Sequence, residues 1–186
     1  MSKEIEIKFK LGSEDFTKVK EKVSKIAKFV KKVNQIDEYF TPSHRNFMEP
    51  EYPFEYLSIR QRGGKGILNY KHFHPENVKE FTHCDELEFE IDSEGFRKMF
   101  SALNFRSLVV VEKEREIYDN SKFKICFDTV KELGQFIEIE VLKEFGNVSE
   151  IREKLFEFAK SLGIDISRAD NRGYPYMLMK LKGSIK

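Results

Sequence analysis

Apolar and polar positions along the chain repeat with two periods, two residues in some segments and about 3.6 in others, a pattern that predicts an α+β domain. Residues 4–11 alternate without a break: Ile5, Ile7, Phe9 and Leu11 share one face of a strand, and Glu4, Glu6, Lys8 and Lys10 share the other. Gly12 ends that strand. Ser13 is placed as a helix N-cap with Glu14 and Asp15 in the first turn, and Phe16, Val19, Val23, Ile26 and Val30 recur at helical spacing. Strands are expected over residues 34–40 and 54–62, on either side of a loop that carries Pro42, Pro50 and Pro53. The turn Gly63-Gly64-Lys65-Gly66 leads into a hairpin partner over 67–73, and 85–91 alternates again. A second helix starts at Asp92 or Ser93, with Phe96, Met99, Phe100 and Leu103 as its buried positions. Strands follow over 105–118, 123–128 and 135–141. A final helix from about Asn147 has Glu150 placed for a capping box and buries Ile151, Leu155, Phe158 and Leu162 before Gly163.

The polar faces of these strands are sorted by charge. Glu4 and Glu6, then Glu86, Glu88 and Glu90, then Glu138 and Glu140 are like-charged sets at spacing two, whereas Arg60/Arg62 and Lys113/Arg115 are cationic sets. Side chains two apart start roughly 6.6 Å from one another, so each like pair costs on the order of 2.5 kcal/mol at an effective dielectric of about 20. Water nearly abolishes that cost, and a one-sided sheet with its charges in solvent is the plain explanation for any single strand. Sorting by sign favours the other arrangement, in which the apolar side of the sheet lies under helices and the charged side lines a ligand cavity. Clustered carboxylates suit Mg²⁺ or Mn²⁺, and clustered Arg and Lys suit phosphate oxygens.

Composition narrows the classes without choosing among them. The chain has 186 residues, enough for one domain over 1–186, with no Pro/Ser-rich linker to divide it. Thirty-three Lys and Arg against 32 Asp and Glu leave a net charge of +1, so no global field draws in nucleic acid or an anionic membrane. Cys84 and Cys126 are too few for a disulfide framework or a thiolate zinc site. No apolar run approaches the ~20 residues of a membrane span, and the opening Met1-Ser2-Lys3-Glu4 begins no signal peptide, so a cytoplasmic location is expected.

Glu4-x-Glu6-x-Lys8 resembles the ExExK signature of the CYTH superfamily, the triphosphate tunnel metalloenzymes, which includes class IV adenylyl cyclases, thiamine triphosphatases and inorganic triphosphatases. The likeness continues in order along the chain, through Gln35-x-Asp37-x-Tyr39-Phe40, Ile59-Arg60-Gln61-Arg62, Asn69-Tyr70-Lys71 and Glu86-Leu87-Glu88-Phe89-Glu90. Glu112-Lys113-Glu114-Arg115 is similar to a KxR strand, and Phe127-Asp128-Thr129-Val130 with Leu133 to Glu140 to a closing acidic strand found in the cyclase branch. Arg172-Gly173-Tyr174-x-x-Met177-Leu178 is similar to a C-terminal RSYxxLL motif, with Gly173 in place of serine. Cys84-Asp85 stands where an arginine often precedes the central acidic strand.

The resemblance implies one domain built as a closed or nearly closed antiparallel β-barrel, a tunnel with a polar interior and helices packed outside. It implies that Glu4, Glu6, Asp128, Glu138 and Glu140 handle Mg²⁺ or Mn²⁺, and that Lys8, Arg60, Arg62, Lys71, Lys113 and Arg115 grip the phosphates. Glu4, Glu6, Lys8, Arg62, Glu138 and Glu140 are then the expected catalytic set, with Glu88 and Glu90 adding a ligand or orienting a basic residue. The implied reaction is adenylyl cyclisation of ATP to cyclic AMP and pyrophosphate. The alternatives are hydrolysis of inorganic, thiamine or nucleoside triphosphate, and a polyphosphate- or nucleotide-binding module without turnover. The partner is a small-molecule triphosphate, and a homodimer is compatible with the likeness.

Other constellations are weaker. His72 and His74 share a strand face, but with no convincing third ligand they are read as surface residues. The glycines around Lys65 lack the GxxxxGK[ST] pattern and form a turn. The two cysteines are read as ordinary strand residues.

Overall fold

The computed structural model describes residues 2–142, 147–170 and 172–185. In chain order the elements are β1 (Ser2–Glu4), β2 (Glu6–Leu11), α1 (Ser13–Ile26), β3 (Lys28–Thr41), β4 (Glu55–Arg62), β5 (Lys65–His74), β6 (His83–Ile91) and α2 (Ser93–Ala102). They continue with β7 (Arg106–Asp119), β8 (Phe123–Val130), β9 (Gly134–Val141), α3 (Val148–Ser161), a 3-10 turn (Ile166–Arg168) and α4 (Tyr174–Leu181). The strand order is β1-β6-β5-β4-β3-β7-β8-β9-β2. The register is antiparallel in the β2–β9, β3–β4, β4–β5, β5–β6, β7–β8 and β8–β9 pairs. No helix among the described residues is long and apolar enough to cross a membrane.

Close contacts group these residues into two units. One gathers Asn34–Glu112 with residues 2–3 and 172–185, and the other gathers Glu4–Val33 with the described residues of 113–170. In the second unit the alternation read from the sequence does its work directly. Ile7, Phe9 and Leu11 of β2, Ile137 and Ile139 of β9, and Phe123, Ile125 and Phe127 of β8 form one apolar face. That face is covered by Phe16, Val19 and Val23 from α1 and by Ile151, Leu155 and Ala159 from α3. The expected capping box is present: the Asn147 side chain accepts from the Glu150 N–H, and the Glu150 side chain accepts from the Asn147 N–H. In the first unit Phe40 and Ile59 pack against Phe100 of α2, with Leu57, Leu68, Ile91, Phe96 and Phe105 around them.

The structure departs from the expected elements at several positions. The N-cap of α1 is Gly12, with Ser13 as the first helical residue, and Ile26 is exposed at the helix end. Helix α1 stops at Ile26, because Ala27 adopts extended backbone, and Val30 lies in β3 instead of on a helical stripe. Phe29 packs edge-on to Tyr118 there, with ring centroids 5.4 Å apart, which anchors the segment as strand. Met99 and Leu103, expected under α2, are exposed. Helix α4 was not expected at all, since YPYMLMKL is too short and too apolar to show a 3.6-residue period.

Candidate active site

In the unit built on β2, β7, β8 and β9, the face opposite the helices carries the charges, and the register decides who meets whom. Lys8 stands opposite Glu138 and Glu6 opposite Glu140. Lys124 stands opposite Glu140, and Arg115 opposite Asp128. The Glu138/Glu140 row thus has Lys8 on one side and Lys124 on the other, while Glu6 faces Glu140 as a like charge. Arg115 donates through Nε to Asp128 Oδ1 at 2.6 Å and through Nη2 to Asp128 Oδ2 at 2.5 Å, and also pairs with Glu138. Lys113 reaches Asp128 Oδ2 at 3.2 Å, and Lys124 pairs with Glu140.

These charges are shielded. Lys8 is 6% exposed and Asp128 0%; the side chains of Lys113, Arg115 and Glu138 keep 7%, 13% and 13% of their surface. Burial pulls the Lys8 ammonium below its ordinary value, against the attraction of Glu138, Glu6 and Asp170. Arg115 goes the other way: Asp128 and Glu138 outweigh its burial and hold it well above the usual value. Burial raises the Glu140 carboxyl; Lys124 opposes the shift, and the negative charges of Glu4 and Glu6 add to it. A carboxylate that is desolvated and repelled by two others is electrostatically short of positive charge. The donors these three side chains offer are all hard oxygens, so Glu4, Glu6 and Glu140 fit Mg²⁺ or Mn²⁺. Asp128 differs from them, since Arg115 and Lys113 engage both of its oxygens.

The other unit gathers a second polar face on β3 to β6. Arg62 Nη1 meets Asp37 Oδ1 at 2.5 Å. Arg60 Nη1 donates to Glu88 at 3.0 Å and lies 3.6 Å from Glu86, which is also 3.7 Å from Lys71 Nζ. Asn69, 1% exposed, donates through Nδ2 to Glu86 at 2.6 Å and Glu88 at 3.1 Å, and its buried Oδ1 accepts no hydrogen bond from the described residues. Burial raises the Tyr39 phenol to about 12, with Asp37 adding to the shift, so it stays a neutral donor. Glu88 thus accepts from Arg60, whereas Glu90 pairs with Lys65 on the exposed surface. At Gly173, a Cβ would lie 3.0 Å from the Tyr56 ring, whose hydroxyl accepts from the Gly173 N–H at 3.3 Å; glycine here makes room for that tyrosine.

The CYTH domain family model matches residues 2–174. The chain belongs to the CYTH family. Among CYTH relatives, a Methanocaldococcus jannaschii protein named "putative adenylate cyclase" is 33% identical over 173 residues, 91% of this chain and 96% of its own. A conserved hypothetical protein from Pyrococcus furiosus has a solved structure with TM-score 0.74 and 31% identity, covering 92% of this chain and 98% of that one. The PH1819 protein from Pyrococcus horikoshii gives TM-score 0.78 and 29% identity, covering 96% and 99%. The fold class expected from the sequence, an α+β antiparallel barrel that is nearly closed, is the one this CYTH chain shares with these structures.

Each sequence-expected residue falls in one of the two clusters, apart from Glu90. Glu4, Glu6, Lys8, Lys113, Arg115, Asp128, Glu138 and Glu140 belong to one unit, and Arg60, Arg62, Lys71 and Glu88 to the other. Sequence reading missed the residues that hold these in place: Lys124, Asp37, Asn69 and Glu86 as the ion-pair partner of Arg60 and Lys71. Pairing β8 with β9 through the turn at Gly134 would have set Lys124 against Glu140.

The cysteines of this CYTH chain are inert by environment. Burial pushes the Cys126 thiol up to about 11 and leaves Cys84 1% exposed. A thiol-specific disulfide reagent at pH 8 is therefore expected to react with neither cysteine in the folded chain and with both after denaturation. Rapid labelling of the native protein would contradict that placement.

Proposed function

We propose that the chain is a divalent-metal-dependent enzyme acting on small-molecule triphosphates, with cyclisation of ATP to cyclic AMP and pyrophosphate as its reaction. One observation carries the reading: Glu140 stands opposite Glu6 across β9 and β2, burial and the charges of Glu4 and Glu6 raise its carboxyl, and the shielded cations Lys8, Lys113 and Arg115 belong to the same unit. Membership of the CYTH family and the name of the Methanocaldococcus jannaschii relative support it.

Mg²⁺ or Mn²⁺ held by Glu4, Glu6 and Glu140, with Glu138 beside them, would supply charge neutralisation of the polyphosphate and Lewis acidity. The chain's own groups do the rest by position and charge. Lys8, Lys113 and Arg115 are proposed to bind phosphate oxygens. Asp128 works through Arg115, holding the guanidinium plane by two hydrogen bonds so that little reorganisation remains at the moment of reaction. Phosphoryl and nucleotidyl transfer need little covalent help from a protein, so such positioning suffices.

Hydrolysis of a triphosphate by the same residues is the second reading, because the cations and carboxylates serve either nucleophile. Product analysis separates the two. The protein is incubated with ATP, tripolyphosphate or thiamine triphosphate and Mg²⁺ or Mn²⁺. Cyclic AMP with pyrophosphate is the expected outcome. Orthophosphate in its place assigns the hydrolase, and binding without products overturns both.

A further inference from the structure

The far end of the β5–β6 hairpin gathers imidazoles that play no part in either charged cluster. His74, the last residue of β5, pairs directly with His83, the first of β6, and the neighbouring pair is His72 with Asp85. The register thus brings His83 and Asp85 to the side of His74, supplying the third ligand that the sequence pattern lacked. The rings of His74 and His83 stack with centroids 5.1 Å apart, and His72 lies on the other side of His74 at 4.4 Å. One donor atom each from His74, His83 and Asp85 falls within 4.8 Å of the other two, and His74 Nε2 is 3.2 Å from Asp85 Oδ2.

Thr82 Oγ1 lies 3.0 Å from the His74 carbonyl and 2.9 Å from His83 Nδ1. A hydroxyl that donates to the carbonyl would accept from an Nδ1–H, the tautomer that presents the Nε2 lone pair to a ligand. Burial, with Lys3 and His74, lowers the His83 imidazole below its ordinary value against the pull of Asp85. His72 is held apart by Glu76, whose carboxylate lies 2.9 Å from its Nε2.

We propose that His74, His83 and Asp85 form a binding site for a borderline-soft divalent transition metal such as Zn²⁺, different in chemistry from the carboxylate group. Two imidazole nitrogens and one carboxylate oxygen make a three-ligand set with an open fourth position, and imidazole selects Zn²⁺ or Co²⁺ over Mg²⁺. Bond lengths of about 2.0–2.2 Å require the donor atoms to close to roughly 3.3 Å. Rotation of the His74 and Asp85 side chains, each 31% exposed, supplies that movement. His74 and His83 flank the connector formed by residues 75–82, so the metal would tie the two ends of that loop together.

The whole chain, stripped with chelator and then kept in excess Mg²⁺, is titrated with Co²⁺ and followed by visible absorption. One equivalent is expected to produce the intense ligand-field bands of a four- or five-coordinate site, displaced by Zn²⁺. His74→Ala and His83→Ala are expected to lose the bands, and Thr82→Val to weaken affinity about tenfold. Glu140→Gln and His44→Ala are expected to keep them. Zn²⁺ is further expected to slow tryptic cleavage at exposed Lys79 at least fivefold in the native chain, a readout that needs no variant. Absence of the bands in the native protein, their survival in His83→Ala, or their loss in Glu140→Gln overturns the site.

Discussion

Replacing Arg115 by alanine is expected to lower the unfolding free energy by about 3–5 kcal/mol, the cost of stranding a buried charge. The stranded group is Asp128, fully buried, both of whose oxygens Arg115 engages, and Glu138 loses the same partner. Lys113 at 3.2 Å compensates only one Asp128 oxygen. Urea unfolding followed by circular dichroism measures the loss. Asp128→Asn added to Arg115→Ala is expected to recover part of it, because the second change removes the charge that the first left unpaired. Two losses that simply add would show that the pair is not coupled.

Glu140→Gln is expected to do the opposite: to cut triphosphate turnover by roughly 10²–10³-fold, the range for removing one preorganised charged group, while changing stability by no more than about 1 kcal/mol. Burial and the charges of Glu4 and Glu6 disfavour the ionised carboxyl, and Lys124, a third exposed, can rehydrate when its partner is gone. The pH dependence gives an independent readout. Because Glu140 is raised in the folded state, the folded chain holds a proton that the unfolded chain has already lost over the window just above the ordinary carboxylate value. Stability therefore falls as pH rises through that window, and this slope is expected to disappear in the variant. A Glu140→Gln protein with native turnover, or with an unchanged slope, would remove Glu140 from the site.

Both effects arise from features that the sequence shows unequally. The rows themselves were legible: strict alternation over residues 4–11 and 135–141 put Glu6, Lys8, Glu138 and Glu140 on one face, and the structure keeps them there. What alternation does not encode is register. Nothing in Lys124 alone marks it as the partner of Glu140, and nothing in Asp37 marks it for Arg62; those pairings follow from turn geometry and strand offset. The same gap hid His83 and Asp85 from His74, since residues 75–82 intervene in sequence and vanish as a separation once β5 and β6 pair. The error at α1 has another origin. Val30 follows Ile26 by four residues and so fits a helical stripe, but the extended backbone at Ala27 and the Phe29–Tyr118 contact commit the segment to β3. A four-residue coincidence is weaker than a tertiary contact.

Calorimetric titration with tripolyphosphate, run with Mn²⁺ and again with chelator, is the most direct test of a metal-bearing carboxylate group beside phosphate-binding cations. Tight binding by the native chain only when Mn²⁺ is present, with the metal-dependent part lost in Glu140→Gln, is the expected result. Equal binding with and without the metal, or a Glu140→Gln titration that matches the native one, would contradict it.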